Sequence, residues 1–283
     1  MLFSCEKSFL QTAVATASRA VATKSAVPSL EGLLLEAMDE KLVISGYDLK
    51  TGIRTAVAAD VRNPGAVIVN ARLFGDIIRR MADDVVTVSV DGSLTANIRC
   101  GSSDFNILCM DASDYPELPV VDGQKQLTIA QKTLKSMISE TNFAVSDNEA
   151  RPIHTGSLFE IGDGKLTVVS VDGYRLALRR ETLESVGSEK FSFVVPGTAL
   201  GEVEKISADS DETLRITLGS KHILFNVGET ELISRRLEGE FLNYRNAVPK
   251  NGKYEIEADR KKLVDTVERV ALIISDKIGR AHV

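Results

Sequence analysis

Hydrophobic residues along this chain switch between a helical and a strand spacing. An apolar stripe between Phe9 and Ala17 recurs at steps of three to four residues, which predicts one buried face of a helix. Short alternating runs follow and are separated by acidic turns, so they predict antiparallel strands. These strands are expected at residues 33–37, 41–45 and 52–57.

The same order then returns within the next sixty residues. Residues 66–69 predict a strand and residues 71–81 a helix, and Asp91-Gly92 is a hairpin turn signal. Further strands are expected at 85–90, 94–100 and 105–110. A unit of about 125 residues therefore consists of two β-α-β-β-β halves, which predicts the α+β class rather than a wound parallel sheet.

The whole unit is repeated along the chain. The apolar frame of residues 3–10 returns at 127–134 and at 256–263, and 32–49 aligns with 156–173 at a constant offset of 124. A third match pairs residues 114–118 with 240–244. The repeats predict a first domain at 1–122, a second at 125–250, and the start of a third at 253–277.

The third repeat contains only one predicted strand and one helix. A fragment of that size is too small to bury a core of its own, so we expect the natural chain to continue beyond it. The last six residues, 278–283, do not continue the repeat and are expected to be an artefactual tail.

Composition narrows the class of protein. The 283 residues carry 34 Lys and Arg against 40 Asp and Glu, a formal charge of −6, and no run approaches the ~20 apolar residues of a membrane span. Three cysteines without a CxxC pair argue against a disulfide framework or a zinc site. These features predict a cytoplasmic globular protein with no membrane partner, and its acidity argues against a simple basic DNA binder.

Four segments resemble the bacterial DNA polymerase III β subunit, the sliding clamp. They are Pro28-Ser-Leu-Glu-Gly-Leu-Leu-Leu35, Val171-Asp-Gly-Tyr-Arg-Leu-Ala177, Gly239-Glu-Phe-Leu-Asn-Tyr-Arg245 and Val248-Pro-Lys250. With the register of the repeats, the resemblance covers residues 1 to about 277. It implies a DNA-clamp fold of tandem domains, in which two chains close a ring around duplex DNA with helices inside and antiparallel sheets outside.

The same resemblance implies the function and the partners. A member of this family is a processivity factor that holds the replicative polymerase on DNA, is loaded by a clamp loader, and has no catalytic residues or cofactor. Each ring is a homodimer, and polymerase and other partners bind through short peptide motifs. Because the third repeat is short, this chain alone is not expected to close a ring.

Charge is divided unevenly between helices and the rest of the chain. The five predicted helices sum to +5, which leaves −11 for the remaining residues of the −6 chain, although the fourth helix is itself acidic. These helices are expected at 7–21, 71–82, 131–142, 197–206 and 259–270. Basic helices suit phosphate contacts that ignore base sequence. The overall acidity therefore does not exclude DNA.

Residue by residue, the resemblance implies three sites. DNA contacts are expected from Lys24, Arg72, Arg79, Asn148, Pro152 and Ile153, although the last two are not the aromatic residues that the family can carry there. A partner-peptide pocket maps onto His154, Val171, Gly173, Tyr174, Arg175, Leu176, Leu242, Asn246 and Ala247. The dimer interface maps onto Phe105, Ile273 and Ile274.

Two other functions remain open from the residues alone. The first is a metal-dependent enzyme that uses His154 with clustered carboxylates such as Asp83-Asp84 or those at 209–212, although no metal-ligand spacing, Walker loop or GxSxG elbow is present. Loop charges before the strands at 85–90 and 214–218 are the favoured interpretation of these carboxylates. The second is a clamp-like protein that binds only peptides.

Overall fold

The computed structural model describes residues 1–123, 125–183, 189–249 and 252–273, and the chain divides into two compact units, Met1–Phe241 and Leu242–Val283. Its helices are α1 Lys7–Ala17, α2 Ala71–Arg80, α3 Gln131–Ser139, α4 Gly197–Ile206 and α5 Arg260–Ala271. The first repeat contains strands β1 Leu2–Glu6, β2 Gly32–Met38, β3 Lys41–Tyr47, β4 Thr51–Ala58, β5 Asp60–Asn63, β6 Gly65–Asn70, β7 Val85–Val90, β8 Thr95–Cys100, β9 Ser103–Leu108 and β10 Met110–Asp111. The second contains β11 Lys125–Ala130, β12 Gly156–Gly162, β13 Lys165–Val171, β14 Leu176–Thr182, β15 Phe191–Pro196, β16 Thr213–Leu218, β17 His222–Val227 and β18 Thr230–Arg235.

The predicted α+β class and its doubled halves are confirmed, with differences at element ends. Helix α1 stops at Ala17, since residues 18–20 tighten into a 3-10 turn, and α3 stops at Ser139. Leu94 has a left-handed φ of 57°, so β8 begins one residue later than predicted. Strand β5 was not predicted because it is short and largely exposed.

Every strand pairing is antiparallel, and one sheet crosses from the first repeat into the second. The described strands form sheets in the orders β5-β1-β7-β8-β9, β10-β6-β2-β3-β4-β18-β17-β16-β11 and β14-β13-β12-β15. Strand β4 pairs with β18 from Thr51–Ser234 to Thr55–Thr230, and the last two hydroxyls lie 2.9 Å apart. The two repeats therefore share a continuous backbone ladder.

Equivalent positions of the two repeats are buried alike. Phe3 and Leu10 are fully buried in the first core, and Leu127 and Leu134, each 124 residues later, are buried in the second. Each core fills the space between the helix pair and the sheets, which is the layered arrangement that an α+β domain requires. Burial of the apolar stripes explains why the helices form where their periodicity predicts them.

The described part of the second unit contains a 3-10 turn at Tyr244–Asn246 and helix α5. The Asp259 carboxylate caps α5 by accepting a hydrogen bond from the Lys262 amide at 2.8 Å. None of the α5 residues is buried, and its apolar positions Leu263 and Val267 are exposed. Within the described residues, no helix combines the length and the apolar character that a membrane crossing demands.

Candidate functional site

Helix α2 presents a basic stripe opposite its buried face. Arg72, Arg79 and Arg80 are exposed, whereas Phe74 and Ile78 on the other side are fully buried. The Arg79 guanidinium lies 2.7 Å from the Asp76 carboxylate, so part of its charge is neutralised. In the described part of the chain, no ion pair involves Arg72 or Arg80. Arg80 was missed from the sequence, although its position eight residues after Arg72 places it on the same face.

Other cations of the helices are paired with loop carboxylates. Lys7 in α1 lies 2.8 Å from Asp83, and in α3 Lys132 lies 2.7 Å from Asp211. Lys135 of α3 contacts Asp209 at 3.2 Å. Three of the carboxylates considered for a metal, Asp83, Asp209 and Asp211, therefore act as partners of helix lysines. No group of three or more metal-ligating side chains occurs in the described residues.

Glu202 is one of the two glutamates that make α4 net acidic. Its carboxylate accepts a hydrogen bond from Arg19 at 3.4 Å and one from Lys205 at 2.7 Å. Arg19 lies in the 3-10 turn after α1, so this ion pair connects the first repeat to the second. One of the two acidic residues of α4 thus has a structural role.

The remaining residues predicted to contact DNA lie on two loops. Lys24 is exposed between α1 and β2, and Asn148 is exposed between α3 and β12. The Asn148 side-chain oxygen accepts a hydrogen bond from the Ala150 amide at 3.0 Å, which leaves its amide group as a donor. Pro152 and half-buried Ile153 follow in a 3-10 turn at Pro152–Thr155.

The central part of the predicted peptide pocket is a hairpin turn between β13 and β14. The Asp172 carboxylate accepts hydrogen bonds from the backbone amides of Tyr174 at 2.9 Å and Arg175 at 3.0 Å, while Gly173 takes a φ of 95°. These bonds to the ionised form lower the pKa of Asp172. Glycine adopts this conformation without strain, so Gly173 suits the turn.

The turn separates buried from exposed residues. Val171 is buried and pairs across the hairpin with half-buried Leu176, whereas Tyr174 is fully exposed. Arg175 is exposed, forms an ion pair with Asp172 at 2.7 Å, and lies over the ring of Phe143 at 5.7 Å. Phe143 was not predicted, because a cation-π contact between distant segments has no local sequence signal.

His154 lies in the 3-10 turn before β12 and contacts Phe241. The two ring centroids are 5.4 Å apart in an edge-to-face arrangement. Burial, followed by the positive charge of Arg151, lowers the pKa of His154 below its ordinary value. At neutral pH this imidazole is therefore a neutral group beside an aromatic ring rather than a cation.

The other predicted residues belong to other elements of the chain. Leu242, Asn246 and Ala247 belong to the second unit, where the amide of Tyr244 donates to the Leu242 carbonyl at 2.7 Å. Phe105 is about half exposed on the edge strand β9, and Ile273 is exposed after α5. Ile274 and the predicted tail 278–283 lie outside the described residues.

Family descriptions match both repeats. Residues 1–119 match the DNA polymerase III beta subunit, N-terminal domain, and residues 128–243 match the central domain of the same subunit. A beta sliding clamp of Halalkalibacterium halodurans is 34% identical over 266 residues, which cover 90% of this chain and 70% of that protein. A Staphylococcus aureus beta sliding clamp is 31% identical over 281 residues, covering 96% and 74%.

Solved structures agree with this similarity. The DNA polymerase sliding clamp of Bacillus subtilis superimposes with a TM-score of 0.93 at 28% identity, covering 98% of this chain and 75% of that one. The Pseudomonas aeruginosa sliding clamp, DNA polymerase III subunit beta, bound to griselimycin, gives 0.93 at 26% identity with the same coverage.

Proposed function

This chain belongs to the DNA polymerase III beta subunit family, the bacterial sliding clamps, and from that premise we propose how its residues hold DNA and partners. A sliding clamp is a processivity factor and a non-catalytic subunit of DNA polymerase III. Its function therefore depends on how it binds DNA and partner proteins. Two repeats that match the first two family domains, with basic side chains exposed on α2, are the observation that supports the proposal. We place its action in the cytoplasm, where a bacterial chromosome is replicated.

Duplex DNA is the first partner. We propose that Arg72 and Arg79 on α2, together with Lys24, Asn148, Pro152 and Ile153, face the duplex, and we add Arg80 because it shares the α2 stripe. Arginine, lysine and amide side chains contact phosphates without reading bases, which suits a protein that slides. Arg72 and Arg80 are the strongest candidates, since no carboxylate of the described residues neutralises them.

Replacing Glu202 with glutamine is expected to strengthen DNA binding severalfold at low salt. The change frees Arg19 and Lys205, so about two further cations become available to phosphates, and the salt dependence of binding becomes steeper. Titration of a labelled duplex at several salt concentrations measures both effects. A matched Glu231→Gln variant on the sheet strand β18 should bind like the parent, and an equal gain in both variants would contradict the prediction.

The polymerase and other peptide-bearing partners are proposed to bind at the Asp172–Arg175 turn. Val171 and Leu176 would floor an apolar pocket, with Gly173 allowing close backbone approach and Tyr174, Arg175 and His154 at its rim. Leu242, Asn246 and Ala247 complete the proposed set. An apolar anchor in a pocket with a polar rim is the usual arrangement of a peptide hot spot.

Ring closure is proposed to use the exposed edge strand β9 with Phe105 of one chain against Ile273-Ile274 of another, to give a homodimer. The ring is proposed to be opened by a clamp loader. The test assembles the full gene product and its loader on nicked circular DNA. We expect the protein to stay on the circle during gel filtration and to dissociate after linearisation; equal loss from both DNA forms would reject the proposal.

A further inference from the structure

A cleft of about 800 Å³ lies beside the joint where β4 meets β18. Its walls come from residues 49–51 of the first repeat, from residues within 142–149, and from 234–238 after β18. A cleft of this volume is in the range that binds small ligands or a few residues of a peptide. None of the residues predicted to contact DNA lines it.

The cleft contains the first-repeat copy of the turn proposed to hold partner peptides. The Asp48 carboxylate accepts hydrogen bonds from the amides of Lys50 at 2.8 Å and Thr51 at 2.6 Å, as Asp172 does 124 residues later. Leu49 takes a φ of 72° at the position of Gly173. The two turns therefore have the same backbone arrangement, one beside the joint of the repeats and the other in the second repeat.

Leu49 is an unfavourable residue for the turn but exposes an apolar side chain to the cleft. A side chain in the left-handed region is strained, and the glycine of the second repeat shows that the turn forms without one. Leu49 is 54% exposed, and the ring of Phe143, which lines the same cleft, is 59% exposed. Both apolar side chains are therefore available to a ligand that brings an apolar group into the cleft.

The charges of the cleft decide which kind of ligand fits. Lys50, Arg235 and Arg236 line it without an ion-pair partner among the described residues, and the Arg235 amide donates to the Lys50 carbonyl at 3.1 Å. Carboxylates also line the cleft, at Asp147, Glu149 and Glu238. Three carboxylates repel a continuous polyanion such as DNA, whereas a short peptide can place one or two acidic groups beside the cations.

We infer that this cleft is a second peptide-docking site, which binds a short segment with an apolar residue next to an acidic one. The apolar side chain packs on Leu49 and Phe143, and the carboxylate faces Lys50, Arg235 and Arg236. Arg175 lines the cleft and also belongs to the pocket proposed above. The inference extends the partner binding of the proposed function and is independent of DNA encirclement.

The test measures binding of one defined probe to the full 283-residue chain. The probe is a fluorescein-labelled peptide, Gly-Leu-Phe-Asp-Glu-Gly, followed by fluorescence anisotropy. We expect Leu49→Gly, Phe143→Ala and Arg236→Glu each to raise its Kd by about tenfold or more. Leu49→Gly relieves backbone strain, so its Tm should equal or exceed that of the parent, which separates lost binding from lost folding.

Two variants control for the turn chemistry and for the other pocket. Leu94→Gly removes a second leucine with positive φ, in the hairpin between β7 and β8, and should leave the Kd within about twofold of the parent. Leu176→Ala alters the proposed Asp172–Arg175 pocket and distinguishes binding there from binding in the cleft, since only binding in the cleft keeps the parent Kd in this variant. The inference would be overturned if the probe failed to bind or if it bound the Leu49→Gly variant normally. Loss of probe binding in Leu176→Ala instead, or displacement of the probe by duplex DNA, would also overturn it. Duplex DNA binding by the same variants reports on the proposed function separately.

Discussion

A chain carrying both Arg72→Glu and Arg80→Glu is expected to bind duplex DNA about 100-fold more weakly than the parent at about 0.1 M salt. The two guanidiniums are exposed on one stripe of α2 and have no carboxylate partner in the described residues, so both are available to phosphates. Losing two phosphate contacts should also reduce the slope of log K against log salt by about 1.8.

The control for this variant changes the same charge elsewhere. Arg62 on β5 and Arg99 on β8 lie on sheet strands and are each paired with an aspartate, so their replacement by glutamate alters net charge equally without touching the helices. Screening should limit its effect on DNA affinity to about threefold. If both double variants lose affinity equally, DNA responds to net charge alone and the α2 stripe is not the contact surface.

Replacing Gly46 with alanine is expected to lower the free energy of unfolding by about 3 kcal/mol. A Cβ at this position in β3 would lie 2.1 Å from the carbonyl oxygen of Ala17 and 3.0 Å from its carbon. These are backbone atoms at the fully buried end of α1, so the helix itself would have to move. Urea unfolding followed by circular dichroism measures the change.

Gly75→Ala, in the same core, is expected to raise the free energy of unfolding instead of lowering it. The nearest atom to a Cβ there is the Val14 Cγ1 at 3.5 Å, an ordinary contact, and the residue lies inside α2. An alanine in a helix interior gains about 0.5–1 kcal/mol over glycine. Equal unfolding midpoints for the Gly46 variant and the parent would show that α1 does not pack on β3 as described.

The fold could be predicted because its determinants are local and occur twice. Leu10 and Leu134 lie in the same apolar frame 124 residues apart, and Asp48 and Asp172 form the same turn, so each repeat supports the assignment of the other. Periodicity also placed α2 and α4 to within two residues. The elements that occur in both repeats are therefore the ones that the sequence predicts correctly.

Contacts between distant segments could not be predicted in this way. Nothing in the alternation of β4 or β18 indicates that they pair with each other, because both strands have the pattern of any half-buried strand. The sum of helix charges leaves out the loop carboxylates. In the structure, Asp211 and Asp209 neutralise Lys132 and Lys135 of α3. The predicted cationic surface is therefore narrower in the structure, and Arg80 becomes part of it.

The ladder between β4 and β18 limits how the protein can move. Five residue pairs, from Thr51–Ser234 to Thr55–Thr230, join the repeats through backbone hydrogen bonds, and Arg19 with Glu202 joins them again between the helices. A hinge at this joint would have to shear all of those bonds at once. The joint therefore resists bending, and in the proposed ring a gap that admits DNA would open elsewhere.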